Sequence, residues 1–392
     1  VVLTRQGNPA WQGQNRDGQA GPTRSDDMFY GNFSSDPQPD WVNLDKVAIP
    51  QADEAQRLLA NLITAMAADR LPLPRFWYFP RGEKAVIVMT HDDHGSGDIV
   101  GRLSSYNAAR PAGCSVDGWE CVRSTTYAYT SSDLTDAQIA GFKAQGHEVV
   151  IHVDTGCTDF TPQSLRADYA RDIAAFAAAF PSAGPPRTQR THCIAFSDWD
   201  SQPTVQAENG IRLDTNYYFW PPEWVQDRPG LFTGSGMPMR FAREDGTMID
   251  VYQATTQMTD ESGQTYPFTI DTLLDRAVGP EGYYGAFVNN LHVDGGANAA
   301  NAAATTVASA KARGVPIISA GQLLTWLDGR NSPSFANIGY AGNTLTFHVN
   351  VGAGANGLTA LLPAASGGRT LQTITRAGST VPFTVSTIKG IA

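Results

Sequence analysis

The chain has 392 residues, 42% of them apolar and 17% charged, with a formal net charge of −10. Its length exceeds the ~100–200 residues of one ordinary domain, which predicts two or three units, or one large barrel with attachments. The acidic balance without any Lys/Arg run excludes a nucleic-acid backbone as partner, since phosphate neutralisation needs clustered basic residues, and no run approaches the ~18–20 apolar residues of a membrane span.

Residues 1–50 are rich in Gly, Asn, Asp, Gln and Pro and keep no period of 2 or 3.6, so irregular structure packed on the main domain is expected. Residues 52–70 predict a helix with Leu58, Leu59, Ile63 and Met66 on one side and Pro72 and Pro74 beyond its end. Such an apolar side needs a partner surface. From Lys84 onward short apolar runs alternate with helical stretches. Strands are expected over 85–89, 148–153, 187–193, 211–217, 248–252, 286–293 and 316–319, and helices over 136–145, 164–180, 299–313 and 322–327. That is the pattern of βα units around a parallel sheet or barrel. After Gly329 charge nearly disappears and Gly, Thr, Ser and Val dominate, with alternation over 344–349 and 371–375, which predicts a small all-β domain. It has no Trp to stack on sugars, so a structural appendage is the plainer reading and carbohydrate binding the other. The expected division is 1–75, an irregular segment plus a helix packing on the barrel; 76–330, the (β/α) barrel; and 331–392, the β domain.

Four cysteines allow three pairings. Cys114 and Cys121 bracket a short Gly-containing loop, while Cys157 and Cys193 each follow a candidate active-site histidine, so Cys114–Cys121 and Cys157–Cys193 are the expected bridges. The bland alternative is four buried thiols. Disulfides imply an oxidising compartment, and with a surface polarised by Ser, Thr, Asn, Gln and Gly they point to a secreted, cell-surface or periplasmic protein.

The unusual polar residues gather at predicted strand ends, where the loops of a (β/α) barrel build one mouth. The strongest local signal is Thr90-His91-Asp92-Asp93-His94, directly after an apolar strand. Two carboxylates and two histidines there are costly to bury unless a divalent metal neutralises them, one Asp binding it and the other taking a proton. A solvated Asp-rich turn is the bland reading. His152, Arg190-Thr191-His192-Cys193, Asp214 and Leu291-His292-Val293-Asp294 follow at later strand ends. A lone strand histidine is more often a satisfied core residue, but His91, His94, His152, His192 and His292 all terminate or follow predicted strands. His147 precedes its strand and reads as structural; His348 lies in the β domain and receives no role. Tyr217, Tyr218, Phe219, Trp220 and Trp224 follow the Asp214 strand, either as a stacking platform for sugar rings or as loop-packing core.

In this order the residues resemble the NodB-type polysaccharide deacetylases over about residues 84–328. Thr90-His91-Asp92-Asp93 is similar to that family's Thr-Phe-Asp-Asp motif, and Gly146-His147-Glu148-Val149-Val150-Ile151-His152 to the lead-in of its second motif. The resemblance implies a distorted (β/α) barrel and hydrolysis of N-acetyl groups from an aminosugar polysaccharide. It implies Asp92 as general base, Asp93 and His152 as metal ligands, Arg190 as the arginine contacting the base, Asp214 as support for that arginine, and His292 as general acid. The chain departs from the family where Gly156 replaces the second histidine of the metal motif, His91 replaces Phe, and Arg190-Thr191-His192-Cys193 replaces Arg-Pro-Pro-Tyr. For the third ligand His94, Asp154 and His192 are within reach. Strand alternation aims His192 to the side of Arg190, so Asp93, His152 and His192 are the expected set. The cofactor is a divalent ion, zinc foremost, with cobalt or nickel as substitutes; the partner is a polysaccharide, and the protein is expected to be a monomer. The rivals are an esterase acting on O-acetylated xylan and a catalytically silent carbohydrate-binding protein.

Overall fold

The computed structural model describes residues 6–31, 42–217 and 221–391. They fall into two compact units, one built from 6–31, 42–50 and the span 85–324, the other from 51–84 and 325–391.

The first unit carries eleven strands. These are β1 (Ala85–Val88), β2 (Thr90–Asp93), β3 (Thr125–Ala128), β4 (Glu148–Ile151), β5 (Thr188–Gln189), β6 (Leu213–Asp214), β7 (Met239–Ala242), β8 (Met248–Gln253), β9 (Thr256–Thr259), β10 (Gly285–Asn290) and β11 (Ile317–Ile318). All pair in parallel except β7, which runs antiparallel to β8. The ladders form three sheets in the orders β9-β10-β1-β11, β2-β3-β4 and β5-β6-β8-β7. The first two meet where Leu291 N donates to Thr90 O (3.2 Å) and Val293 N to Asp92 O (2.9 Å), and a parallel bridge between Val153 and Thr191 joins the second to the third. Parallel strands covered on both faces read as continuous apolar runs. The fully buried Ala85-Val86-Ile87-Val88 is one.

Helices cover the strands as the alternation predicts. Thr135 and Thr161 each cap a helix, Asp136–Ala144 and Pro162–Ala179, by accepting from the backbone N–H three residues on. Both expected disulfides are present, Cys114–Cys121 and Cys157–Cys193. The described part of the amino-terminal segment is irregular and packed, Met28 and Phe29 lying in a core with Phe196, Trp199, Tyr217, Phe241, Ile249 and Val251.

In the second unit the helix Gln51–Ala67 buries Ala52, Asp53, Arg57 and Thr64. This corrects the expectation of a packed apolar side, because Leu58, Leu59, Ile63 and Met66 are all exposed. The polar side is held instead, through Lys389 Nζ to Glu54 (2.9 Å) and Asn61 Nδ2 to Lys389 O (3.0 Å). Downstream, Ser334–Ala341 and Thr344–Asn350 form an antiparallel hairpin, followed by short two-stranded ladders, one of which pairs Ala360–Leu361 with Arg75–Phe76. The helix 51–67 and residue 75 therefore belong with the carboxy-terminal strands rather than with the barrel-like unit.

Candidate active site

Three histidines converge at the strand ends. His152 leaves β4 with its N–H on Ala128 O (2.9 Å), and its Nδ1 lies 2.8 Å from Arg190 O. That contact turns Nε2 to the mouth, where it is buried with no hydrogen-bond partner. His192 opens a short turn, His192–Ile194, anchored by its own N–H on Val153 O (2.7 Å), and its Nδ1 is likewise buried and unpartnered. His94 follows β2 directly, with Nδ1 2.9 Å from a carboxylate oxygen of Asp294. One nitrogen from each ring lies within 4.8 Å of the other two. Burial lowers the His152 pKa to about 4 and pushes His192 down as well, which keeps both rings neutral and able to donate a lone pair. Second groups that orient an imaginary ligand's ring, a carbonyl for His152 and a carboxylate for His94, are the usual supports of metal-binding imidazoles. The residues thus fit a divalent cation of the zinc, cobalt or nickel kind.

Asp93, expected as a ligand, is not brought to this cluster. Alternation places Asp92 and His94 on one side of the strand and Asp93 on the other. There both its oxygens are taken, by Gly95 N (3.0 Å), Gly97 N (2.8 Å) and the Ser132 hydroxyl. His94 stands in its place. Asp154 also stays out, accepting from Gly156 N (2.8 Å). Gly156 has φ +68°, and a side chain there would meet nothing within 4 Å. A histidine at that position would be strained and would face open space.

Asp92 is buried beside the histidines. Arg190 Nη1 donates to one oxygen (3.0 Å), Asn290 Nδ2 to the other (2.7 Å), and His152 Nε2 lies 3.9 Å away. Burial would raise its pKa, but Arg190, His152 and His292 outweigh that and hold it well below the ordinary carboxylate range. Arg190 is fixed in turn by Thr256 Oγ1 (3.0 Å) and Asn289 O (3.3 Å). Across the mouth His292 places Nδ1 2.9 Å from Asp260 Oδ1. Burial lowers its pKa, yet the hydrogen bond to Asp260 and the charges of Asp92, Asp260 and Glu261 prevail and raise it to about 9.

Asp214 does not touch Arg190, which corrects the support role expected for it. It accepts from Gln206 Nε2 (2.6 Å) and Asn216 Nδ2 (2.7 Å), and Asn216 in turn holds Thr191 N. Its effect is on the backbone between Arg190 and His192. His91 is buried on the other side of β2, against Tyr106 and Leu291 O, away from the cluster. His147 sits with Ser124 and Asn107, a structural place as expected. Tyr217 packs among Phe29, Phe196 and Phe241 and Trp224 against Tyr30, so both are core rather than platform; Tyr218, Phe219 and Trp220 lie outside the described residues. Asp294, named in the sequence without a role, and three residues that sequence reasoning missed complete the mouth: Asn290, Asp260 and Tyr129, whose ring centroid is 5.5 Å from those of both His152 and His192. A cavity of about 460 Å³ opens beside His152 between Tyr129, Ser131, Asp154 and Arg171.

Parallel α/β architecture with neutral imidazoles, a paired carboxylate and a charged histidine at one set of strand ends defines a hydrolase-like site. No protein-family model matches the sequence, and no curated protein does. The chain is similar to solved polysaccharide deacetylases. A Mycobacterium smegmatis protein assigned as a polysaccharide deacetylase is 17% identical, with 65% of this chain and 93% of that one covered at a TM-score of 0.40. A Bacillus cereus polysaccharide deacetylase is 13% identical over 60% and 91% at 0.35. The chitin deacetylase of the fungal pathogen Colletotrichum lindemuthianum is 11% identical over 61% and 87% at 0.37.

Proposed function

We propose that the protein is a metal-dependent hydrolase that removes N-acetyl groups from an aminosugar polysaccharide and releases acetate, with His94, His152 and His192 as the metal ligands. The observation that carries this reading is the convergence of three imidazoles, two of them with buried, unpartnered nitrogens, between the Arg190-paired Asp92 and the Asp260-paired His292.

A bound divalent cation supplies Lewis acidity toward the acetyl carbonyl and toward water. The rest of the chemistry falls to the chain. Asp92, kept ionised by Arg190, accepts the proton of the attacking water. Asn290 and Arg190 occupy its outer lone pairs and fix its orientation. His292 is protonated at neutral pH and donates to the departing nitrogen, which cannot leave as an anion. Asp260 holds the Nδ1 proton, which leaves the Nε2 proton as the one given up. The cavity beside His152 receives part of the glycan.

The test is acetate release from N-acetylhexosamine oligomers and, in parallel, from acetylated xylan. Zinc-dependent release from the first and not the second supports the proposal. Activity on xylan alone moves the reading to an O-acetyl esterase, and full activity in metal-stripped protein rejects the metal.

A further inference from the structure

A second cluster lies far along the chain from the strand-end histidines, in the amino-terminal segment. Asp17, Asp26 and Asp27 are 4%, 0% and 1% exposed, and one carboxylate oxygen from each lies within 4.8 Å of the other two. Three like charges in so small a buried volume repel strongly unless something positive or a shared proton stands among them. Asp27 is well served by the backbone, accepting from Arg16 N (2.5 Å), Asp17 N (3.1 Å) and Arg24 N (2.9 Å), and Asp17 accepts from Gln19 N (2.7 Å). Asp26 is different. Both of its carboxylate oxygens are buried and neither accepts from an N–H or hydroxyl donor, the neighbouring polar group being the Asp17 carboxylate. An independent residue points the same way: the hydroxyl of Tyr30 is fully buried, has no partner, and faces the charges of Asp26 and Asp17. Leaving one such group unsatisfied is costly, more so when it is charged. Here two neighbours are left so together.

We infer that Asp17, Asp26, Asp27 and Tyr30 form a structural site for a hard divalent cation, calcium in the first instance. The donors are all oxygen, with no imidazole or thiolate among them, which suits Ca²⁺ and disfavours zinc. Oxygen atoms on opposite sides of Ca²⁺ stand roughly 4.6–5.2 Å apart, twice the usual ligand distance, so the observed separation accommodates it. Two positive charges against three carboxylates leave one negative charge, and the Arg24 guanidinium is near enough to offset it.

The site has a place in the architecture. Asp27 holds the N–H of Arg24, whose Nε donates to Cys193 O (3.0 Å), and the neighbouring Thr23 O accepts from Phe196 N (2.8 Å). Thr23 N is held by Asp159 (2.7 Å). The cation would brace the segment that fastens the chain immediately after His192. It would not itself enter the reaction.

The test uses the full chain, passed over chelating resin and reloaded with one equivalent of zinc, then titrated with Ca²⁺ and, separately, with Tb³⁺ under aromatic excitation. Expected are uptake of one Ca²⁺ per chain, sensitised Tb³⁺ emission that excess Ca²⁺ displaces, and a rise in Tm with Ca²⁺. Asp26→Asn should abolish Ca²⁺ uptake while leaving zinc stoichiometric, and His94→Ala should do the reverse. Absence of saturable Ca²⁺ uptake by the wild-type protein at millimolar concentration overturns the inference and leaves a proton shared by Asp26 and Asp17 as the explanation. Unchanged uptake in Asp26→Asn overturns it as well. Should Asp26→Asn fail to fold, the wild-type isotherm decides alone, and Tyr30→Phe should weaken it.

Discussion

The histidine cluster and the aspartate cluster solve opposite problems with three donors each. His94, His152 and His192 come from three strand-borne segments and offer ring nitrogens, and His152 lines an open cavity. Asp17, Asp26 and Asp27 come from one stretch of eleven residues, offer only carboxylate oxygens, and are sealed from solvent. An open face is what a reacting molecule needs, and closure on all sides is what a fixed counter-charge needs. The contrast teaches that donor type and access, rather than the number of candidate ligands, separate a chemical site from a structural one.

The largest effects should come from breaking the open cluster. His94→Ala and His152→Ala should each lose zinc and reduce acetate release below detection, as elemental analysis beside the activity assay will show; retained stoichiometric zinc in His94→Ala would return Asp93 to candidacy as ligand. Asp92→Asn should keep zinc yet lose about 100-fold or more in kcat, the usual cost of a positioned base. If it empties the site instead, Asp92 is a ligand. Asp260→Asn bears on the acid. His292, held at about 9 in the folded protein against an ordinary 6.5, should remain protonated through neutral pH, so activity should fall only as pH rises through about 9. Without the Asp260 carboxylate the alkaline limb should move down toward neutrality, and an unmoved limb would mean that His292 is not the acid. The same raised value stabilises the fold fully below about pH 6.5 and progressively less up to 9. Smallest, Asp214→Asn should leave zinc bound and lower activity by less than tenfold, since its carboxylate reaches the site only through Asn216 and the Thr191 backbone. That estimate takes the lower end of what supporting residues usually contribute.

These residues differ in how legible they were. Arg190 and His192 stand in the polar stretch Arg187-Thr188-Gln189-Arg190-Thr191-His192 and were legible through the motif order, whereas Asp92, His152 and His292 each follow an apolar run, where a costly polar group at a buried strand end is visible without coordinates. Asn290 carried the same signal, as the second of two amides inside Ala286-Phe287-Val288-Asn289-Asn290-Leu291, and could have been found. Asp260 could not, because Thr259-Asp260-Glu261-Ser262 reads as an ordinary loop until β9 is seen beside β10. Motif order points to Asp93 and alternation to His94; the structure gathers His94 with His152 and His192 and gives the Asp93 oxygens to Gly95, Gly97 and Ser132. Strands such as Ala85–Val88, Glu148–Ile151 and Gly285–Asn290 were plain from the apolar runs, whereas Thr125–Ala128 and Thr256–Thr259, rich in Thr, and the helices Ile99–Ala109, Ser201–Glu208 and Phe268–Val278 were not. The association of the helix Gln51–Ala67 with the carboxy-terminal strands was not, because its Leu58, Leu59, Ile63 and Met66 promised burial that the fold does not provide. Asp26 was hidden by the opposite defect, a segment without periodicity in which nothing marks one aspartate as buried.

The Cys157–Cys193 bridge ties the turn after His152 to the turn that begins at His192, closing a loop with a sequence separation of 36 residues. Beyond what it adds to folding, the bond raises the effective concentration of one imidazole around the other, since neither turn can drift away while it holds. Zinc retention should then depend on thiol redox state. At a fixed low zinc concentration the protein reduced at this bridge should release its ion faster than the oxidised form.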